Sequence, residues 1–294
     1  MQLKLVAFIS MLSMSVSASA QAVYTFEGLQ AGTALAGQDG WVVGITGSGS
    51  PTVEADIQSL VARGTFVSAA RATDAAFPFA EVFDTQAVRL EFDIHYIDGG
   101  GNESIQTYFY DDQNGNGTAQ SDEDVFQYGL ARAFPHLPNT HLQFVGASPI
   151  HSNVSSLFSS DDRLTIRADI VQLDTDMLFA KLYFKNNSST TPEWVLIACG
   201  KTLTATAGKG LADINAVQIR FDSGLSSIDN ISISTIEPSI CLPDTNYDCV
   251  LSPADFTAWI AAYQSGSAEC DQNGDKVCTP ADFTAWISNF DTGC

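Results

Sequence analysis

The chain has 294 residues, 34 Asp and Glu against 13 Lys and Arg, and a formal charge of −21. That balance argues against nucleic-acid binding, because neutralising phosphates requires a basic face. It suits solubility, salt tolerance or cation binding without choosing among them. Past the first 22 residues no stretch approaches the ~20 apolar residues of a membrane span, so the body of the chain reads as soluble.

Residues 1–22, MQLKLVAFISMLSMSVSASAQA, read as a secretory signal peptide: one lysine, an apolar run from Leu5, and small residues ending in Ala18-Ser19-Ala20. Cleavage is expected after Ala20 or Ala22. Losing Lys4 takes the charge to −22. Residues 241–294 hold eight acids and one lysine, −7, and the other −15 belongs to residues 23–240.

Residues 23–237 alternate with period two and show almost no helical periodicity. In VRLEFDIHYI, Val88, Leu90, Phe92, Ile94 and Tyr96 face one way and Arg89, Glu91, Asp93 and His95 the other. LTIRADIV points Leu164, Ile166, Ala168 and Ile170 inward, and AVQIRFD does so with Val217, Ile219 and Phe221. About ten short strands separated by Gly, Ser, Asn and Asp loops predict an antiparallel β-sandwich, or jelly roll, with a sizeable core. The opening FEG, the following GQDGW and the closing DNISIS resemble secreted concanavalin/laminin-G-like sandwiches. That likeness implies a fold which hosts glycan-binding modules, glycosidases and lyases alike, so it names no function.

Three features of this region bear on chemistry. DQNGNGTAQSDE places Asp112, Asn114, Asn116, Gly117 and Glu123 at positions 1, 3, 5, 6 and 12 of a calcium-loop pattern. Its flanks read as strands, so an ordinary acidic hairpin explains the same letters. EFDIH sets Glu91 and Asp93 like the first two carboxylates of a retaining-glycosidase strand, but His95 stands where the acid/base would be. A strand with a polar outer face accounts for it, and no catalytic residue is assigned. Trp41, Tyr108, Tyr110 and Trp194 could stack on sugar rings or pack in the core. The histidines His95, His136, His141 and His151 lack metal spacing, and HSNVSSLFSS has no nucleophile elbow.

TIEPSIC, around Glu237-Pro238, reads as a linker with few apolar residues, so little core is expected to cross Pro238. Beyond it, residues 238–294 contain one segment written twice, 27 positions apart: DTNYDCVLSPADFTAWI from Asp244 and DQNGDKVCTPADFTAWI from Asp271. Oxygen-bearing side chains fall at positions 1, 3, 5, 9 and 12 of each loop. They are Asp244, Asn246, Asp248, Ser252 and Asp255, then Asp271, Asn273, Asp275, Thr279 and Asp282. With the backbone carbonyls of Val250 and Val277 at position 7, each set suits a hard cation such as Ca²⁺, which takes six to eight oxygens. Two calcium sites are expected here, with a third conceivable at Asp112–Glu123. Position 6, usually glycine, holds Cys249 and Lys276, which weakens each loop.

Ser252-Pro253 and Thr279-Pro280 each put an N-cap hydroxyl before a first-turn proline, which predicts a helix start. Phe256, Trp259 and Ile260, repeated as Phe283, Trp286 and Ile287, give each helix one apolar face. A loop and one helix, twice, with no helix before the first loop, resembles a type I dockerin. The PADFTAWI repeats and the ending Gly293-Cys294 resemble the bacterial proteins anchored by GC-type dockerin domains. The resemblance covers residues 241–294. It implies a small all-α calcium module and a protein exported to the cell surface or medium. It also implies a cohesin-like partner met at the helix starts, Pro253-Ala254 and Pro280-Ala281. These differ from the usual Ser/Thr pairs, and a cell-envelope partner fits as well. The expected protein is a non-catalytic, glycan-contacting sandwich displayed through this module. The alternative is a tethered glycoside hydrolase or polysaccharide lyase.

Six cysteines in an exported chain suggest disulfides, and fifteen pairings are open. Five lie in the small module: Cys241, Cys249, Cys270, Cys278 and Cys294. Either Cys199 pairs across the boundary or Cys294 is left over. Cys199 as a small core residue is the simpler reading.

Overall fold

The structure, a computed structural model, describes residues 20–44, 49–55, 60–63, 67–97, 104–115, 122–131, 140–221 and 226–294. The strands are β1 (Gln21–Tyr24), β2 (Val42–Val43), β3 (Thr52–Ala55), β4 (Leu60–Arg63) and β5 (Val67–Ala72). A short helix α1 (Phe79–Phe83) precedes β6 (Ala87–His95), β7 (Ser104–Tyr110), β8 (Asp124–Ala131), β9 (His141–Val145) and β10 (Ile150–Asn153). Then come β11 (Arg163–Asp174), β12 (Met177–Asn186), β13 (Val195–Leu203), β14 (Ala216–Phe221) and β15 (Ser227–Thr235).

These strands form two antiparallel sheets. One runs β13-β12-β11-β6-β15-β4-β3, with β1 also paired to β15; the other runs β10-β9-β8-β7-β14-β5-β2. The protein is mainly β, and its larger part is a sandwich. The alternation read from sequence supplies the core: Val88, Leu90, Phe92 and Ile94 of β6 meet Val217, Ile219 and Phe221 of β14 within one buried cluster. Phe109, Phe126 and Phe144, on β7, β8 and β9, stack in succession with centroids 4.8 and 4.7 Å apart. Each such side chain removed from water contributes roughly 1.5–3 kcal/mol.

β1 begins inside the stretch taken as leader. Gln21 and Ala22 pair with Ser234 and Ile233, and Ala22 is buried. Of the two cleavage positions, the one after Ala20 leaves β1 whole. The sandwich therefore starts two residues before the boundary placed at residue 23.

The C-terminal part contains α2 (Pro253–Ser265) and α3 (Pro280–Thr292). Ser252 and Thr279 cap them, each accepting from the backbone N–H two residues on at 3.2 Å. Asp255 and Asp282 close the capping boxes. Trp259 and Trp286 are buried against each other's repeat, with Phe256 between them. Ile260, Phe283 and Ile287, expected on the buried faces, are exposed instead. A two-helix unit has only one seam to bury; the tryptophans, Phe256 and Phe290 fill it, and Phe283 lays one side of its ring against Phe256 and Trp259 while the rest stays exposed.

Two sequence expectations fail at the junction. Ala87, Val171 and Phe179, on the outer face of the β13–β3 sheet, form an apolar cluster with Ile236, Ile240, Tyr247 and Cys249. Core therefore does cross Pro238. Cys199 is not a lone core residue: it is bonded to Cys249, with Cα atoms 6.2 Å apart. Cys294 is not left over either, since it joins Cys241 (Cα–Cα 5.3 Å), while Cys270 joins Cys278 (5.6 Å).

Candidate metal centre in the duplicated loops

The loop before α2 folds around its own carboxylates. Asp244 takes the backbone N–H groups of Asp248 and Cys249 at 3.1 and 2.8 Å. Asn246 Oδ1 accepts from Asp248 N–H, and Asp248 accepts from Val250 N–H at 2.8 Å. Asp255, fully buried, reaches back to Ser252 N–H at 2.8 Å and Asn246 N–H at 3.4 Å. Carboxylate oxygens of Asp244, Asp248 and Asp255 consequently come within 4.8 Å of one another. This is the only group of three potential ligand carboxylate, imidazole or thiol side chains among the described residues.

The loop before α3 repeats this pattern bond for bond. Asp271 accepts from Asp275 and Lys276 N–H at 3.2 and 2.8 Å, and Asp275 from Val277 N–H at 2.9 Å. Asp282 accepts from Thr279 and Asn273 N–H at 2.7 and 3.3 Å. Cys249 and Lys276, at position 6, both lie at positive φ, 61° and 66°. The loops take the turn glycine would favour without having glycine. Ser252 and Thr279, expected as ligands, are held by their helices as N-caps. Thr279 Oγ1 also meets Asp282 Oδ2 at 3.2 Å.

Electrostatics differ between the loops. Burial, with the nearby charges of Asp255 and Asp248, pushes the Asp244 carboxyl above its ordinary range. At Asp282 burial works the same way, but backbone N–H bonds from Thr279, Gln272 and Asn273 outweigh it and hold the group low. An all-oxygen donor set with three crowded acids is the chemistry a divalent hard cation relieves. Asp244, Asp248 and Asp255 of the first loop fit such an ion, while Asp271, Asp275 and Asp282 of the second share its hydrogen-bond pattern without drawing their carboxylates together as closely.

The two halves interlock. Trp259, on the helix after the first loop, donates its indole N–H to the Cys270 carbonyl just ahead of the second loop, at 3.1 Å. Trp286 does the same to Pro243 just ahead of the first, at 3.2 Å. The identical PADFTAWI segments hinted at equivalence, but only the fold shows that each tryptophan serves the other repeat.

The sandwich candidates are placed as follows. Asn114 Nδ2 donates to Glu123 Oε1 at 2.8 Å, and the Asp112 backbone N–H donates to Asn215 at 2.7 Å. Asn116 and Gly117 lie outside the described residues, as does His136. Asp111, overlooked in the sequence, pairs with Lys209 and Asn215 at the foot of this loop. Asp93 accepts from Thr165 Oγ1 at 2.7 Å and Asn230 at 2.8 Å, while His95 Nε2 meets Asp161 at 2.7 Å. Glu91 stands opposite Arg167 in register. Trp41, Tyr108 and Tyr110 are buried, and Trp194 lies half-buried under Lys185 and Arg167. Pro253, Ala254, Pro280 and Ala281 are all exposed.

No protein-family model and no curated protein matches this sequence. Among solved structures, it is similar to a marine alginate lyase from Aplysia kurodai, with 10% identity, 63% of this chain and 87% of that one covered, and a TM-score of 0.40. It is also similar to a legume lectin-like domain from Entamoeba histolytica, with 8% identity, coverage of 68% and 91%, and a TM-score of 0.41.

Proposed function

We propose that this chain is an exported β-sandwich protein held in place by a calcium-binding, dockerin-type C-terminal module, with the sandwich contacting glycan and doing no chemistry of its own. The observation behind the anchoring role is the pair of loops with one hydrogen-bond pattern, the first of which gathers Asp244, Asp248 and Asp255 around a common centre. Calcium would bind through Asp244, Asn246, Asp248 and Asp255, and through Asp271, Asn273, Asp275 and Asp282. The partner, a cohesin-like or cell-envelope protein, would meet Pro253-Ala254 or Pro280-Ala281. Ile260 and Ile287, equivalent in the two copies and exposed, extend that surface with apolar area.

Retention tests this. The full chain should sediment with the envelope fraction in calcium and wash free with EDTA. A D248A/D275A variant should not be retained in either buffer. Retention of that variant at wild-type level would remove the anchoring role.

A further inference from the structure

Tyr247 and Cys249 stand at positions 4 and 6 of the first duplicated loop, on either side of Asp248. Both have a left-handed backbone, φ 60° and 61°, which a β-carbon makes costly. The second loop takes the same turn at Gly274 and Lys276, φ 79° and 66°. At position 4 it uses glycine, with open space where a side chain would begin, and Lys276 is exposed. The first loop therefore carries a tyrosine ring that the turn itself does not require. Strain of this kind persists where the surroundings fix it, and it points to a role.

The surroundings here are the sandwich. The Tyr247 ring packs on Phe179 of β12, centroids 5.4 Å apart, and the Lys201 ammonium of β13 lies 5.0 Å from its centre. Two residues on, Cys249 is bonded to Cys199 of β13. Phe179 pairs with Lys201 and Lys181 with Cys199, so the two loop side chains hold neighbouring rungs of one strand pair.

The same short segment shapes the acids. The Cys249 N–H donates to Asp244 at 2.8 Å, the Asp248 N–H to Asp244 at 3.1 Å, and the Asn246 N–H to Asp255 at 3.4 Å. Backbone fixed to the sandwich thus fixes two of the three carboxylates. Of the two loops, the first is the one whose three carboxylates come within 4.8 Å of one another. A loop held in its binding shape beforehand loses less freedom when the ion arrives.

We propose that Tyr247 and Cys249 are positioning residues of a junction calcium site. The sandwich holds the first loop in its ion-binding shape, and the ion in that loop holds the module against β12 and β13. The inference rests on the calcium reading of the loops and adds that the two sites are unequal. Such coupling is reciprocal: what the sandwich adds to calcium affinity, calcium adds to the docked junction.

Isothermal titration of the full chain with Ca²⁺, joined to hydrogen exchange read on peptides of β12 and β13, tests it. In a D275A background, which leaves the first loop to be titrated, Y247G should weaken binding about tenfold, an ordinary size for such coupling. Glycine eases the left-handed turn, so an independent loop would bind equally well or better. Y247F keeps the ring and should restore the parent affinity. Saturating calcium should slow exchange across Met177–Leu203 severalfold in D275A and leave it unchanged in D248A, where the second loop alone is filled. Should Y247G misfold, that exchange comparison, which leaves Tyr247 in place, decides. Affinity unchanged or raised by Y247G, or equal slowing in D248A and D275A, would overturn this inference and leave two calcium sites standing. Absence of calcium uptake by the wild-type chain would overturn both.

Discussion

Lys276 and Cys249 occupy the same loop position with the same left-handed backbone, yet their surroundings differ. Cys249 is held by its bond to Cys199 and sits in the apolar cluster of the junction, whereas Lys276 is exposed. A β-carbon at positive φ costs roughly 1–2 kcal/mol, and nothing around Lys276 offsets it. Lys276→Gly should therefore stabilise the module by about 1 kcal/mol and raise its melting temperature. In the sandwich, Asp169 is clamped by Arg89 at 2.7 Å and Arg167 at 2.8 Å. Burial alone would raise its pKa, but the two guanidinium groups outweigh that and lower it. The folded pKa lies below the unfolded one, so this stability is present above the ordinary carboxylate range and lost as pH falls through the folded value. Asp169→Asn should cost about 2 kcal/mol at neutral pH, because two half-buried guanidinium groups lose their shared partner, and it should flatten the acid limb of the stability curve. Denaturant melts from pH 7 to pH 2 check both.

Elements were legible where a period or a repeat marked them. VRLEFDIHYI, LTIRADIV and AVQIRFD became β6, β11 and β14 with the expected faces inward. The capped helices began where Ser252-Pro253 and Thr279-Pro280 said they should. The short α1 carried no such signal, since five residues of FAEVF show no helical period. β1 was hidden because its first residues also fit a cleavage site. The cysteine pairing depended on which loops meet in space, which spacing does not encode. The same holds for the crossed tryptophan bonds. Removing one should be felt in the other repeat: in a D275A background, Trp286→Phe should weaken calcium binding at the first loop about fivefold. That is the ~1 kcal/mol of one net hydrogen bond. Binding unchanged by Trp286→Phe would mean the two loops act independently.

At the scale of the whole molecule, the sandwich and the small module are joined by more than a linker. Tyr247 packs on Phe179 at 5.4 Å, Lys201 approaches both the Tyr247 ring and Glu269, and the Cys199–Cys249 bond crosses beside them. A chain ending at Ile236 should still fold, because the two sheets keep their own core. It should melt several degrees lower than the full chain and bind a hydrophobic dye at the uncovered Ala87, Val171 and Phe179. Equal melting temperatures would show that the junction adds nothing to the sandwich. The central claim is that the duplicated loops are calcium sites, and isothermal titration of the metal-stripped full chain with Ca²⁺ addresses it most directly. The account predicts two ions per chain, one in each of the D248A and D275A variants, and none when both are changed. Absence of calcium uptake by the wild-type chain, or uptake unaltered by both substitutions, would contradict it.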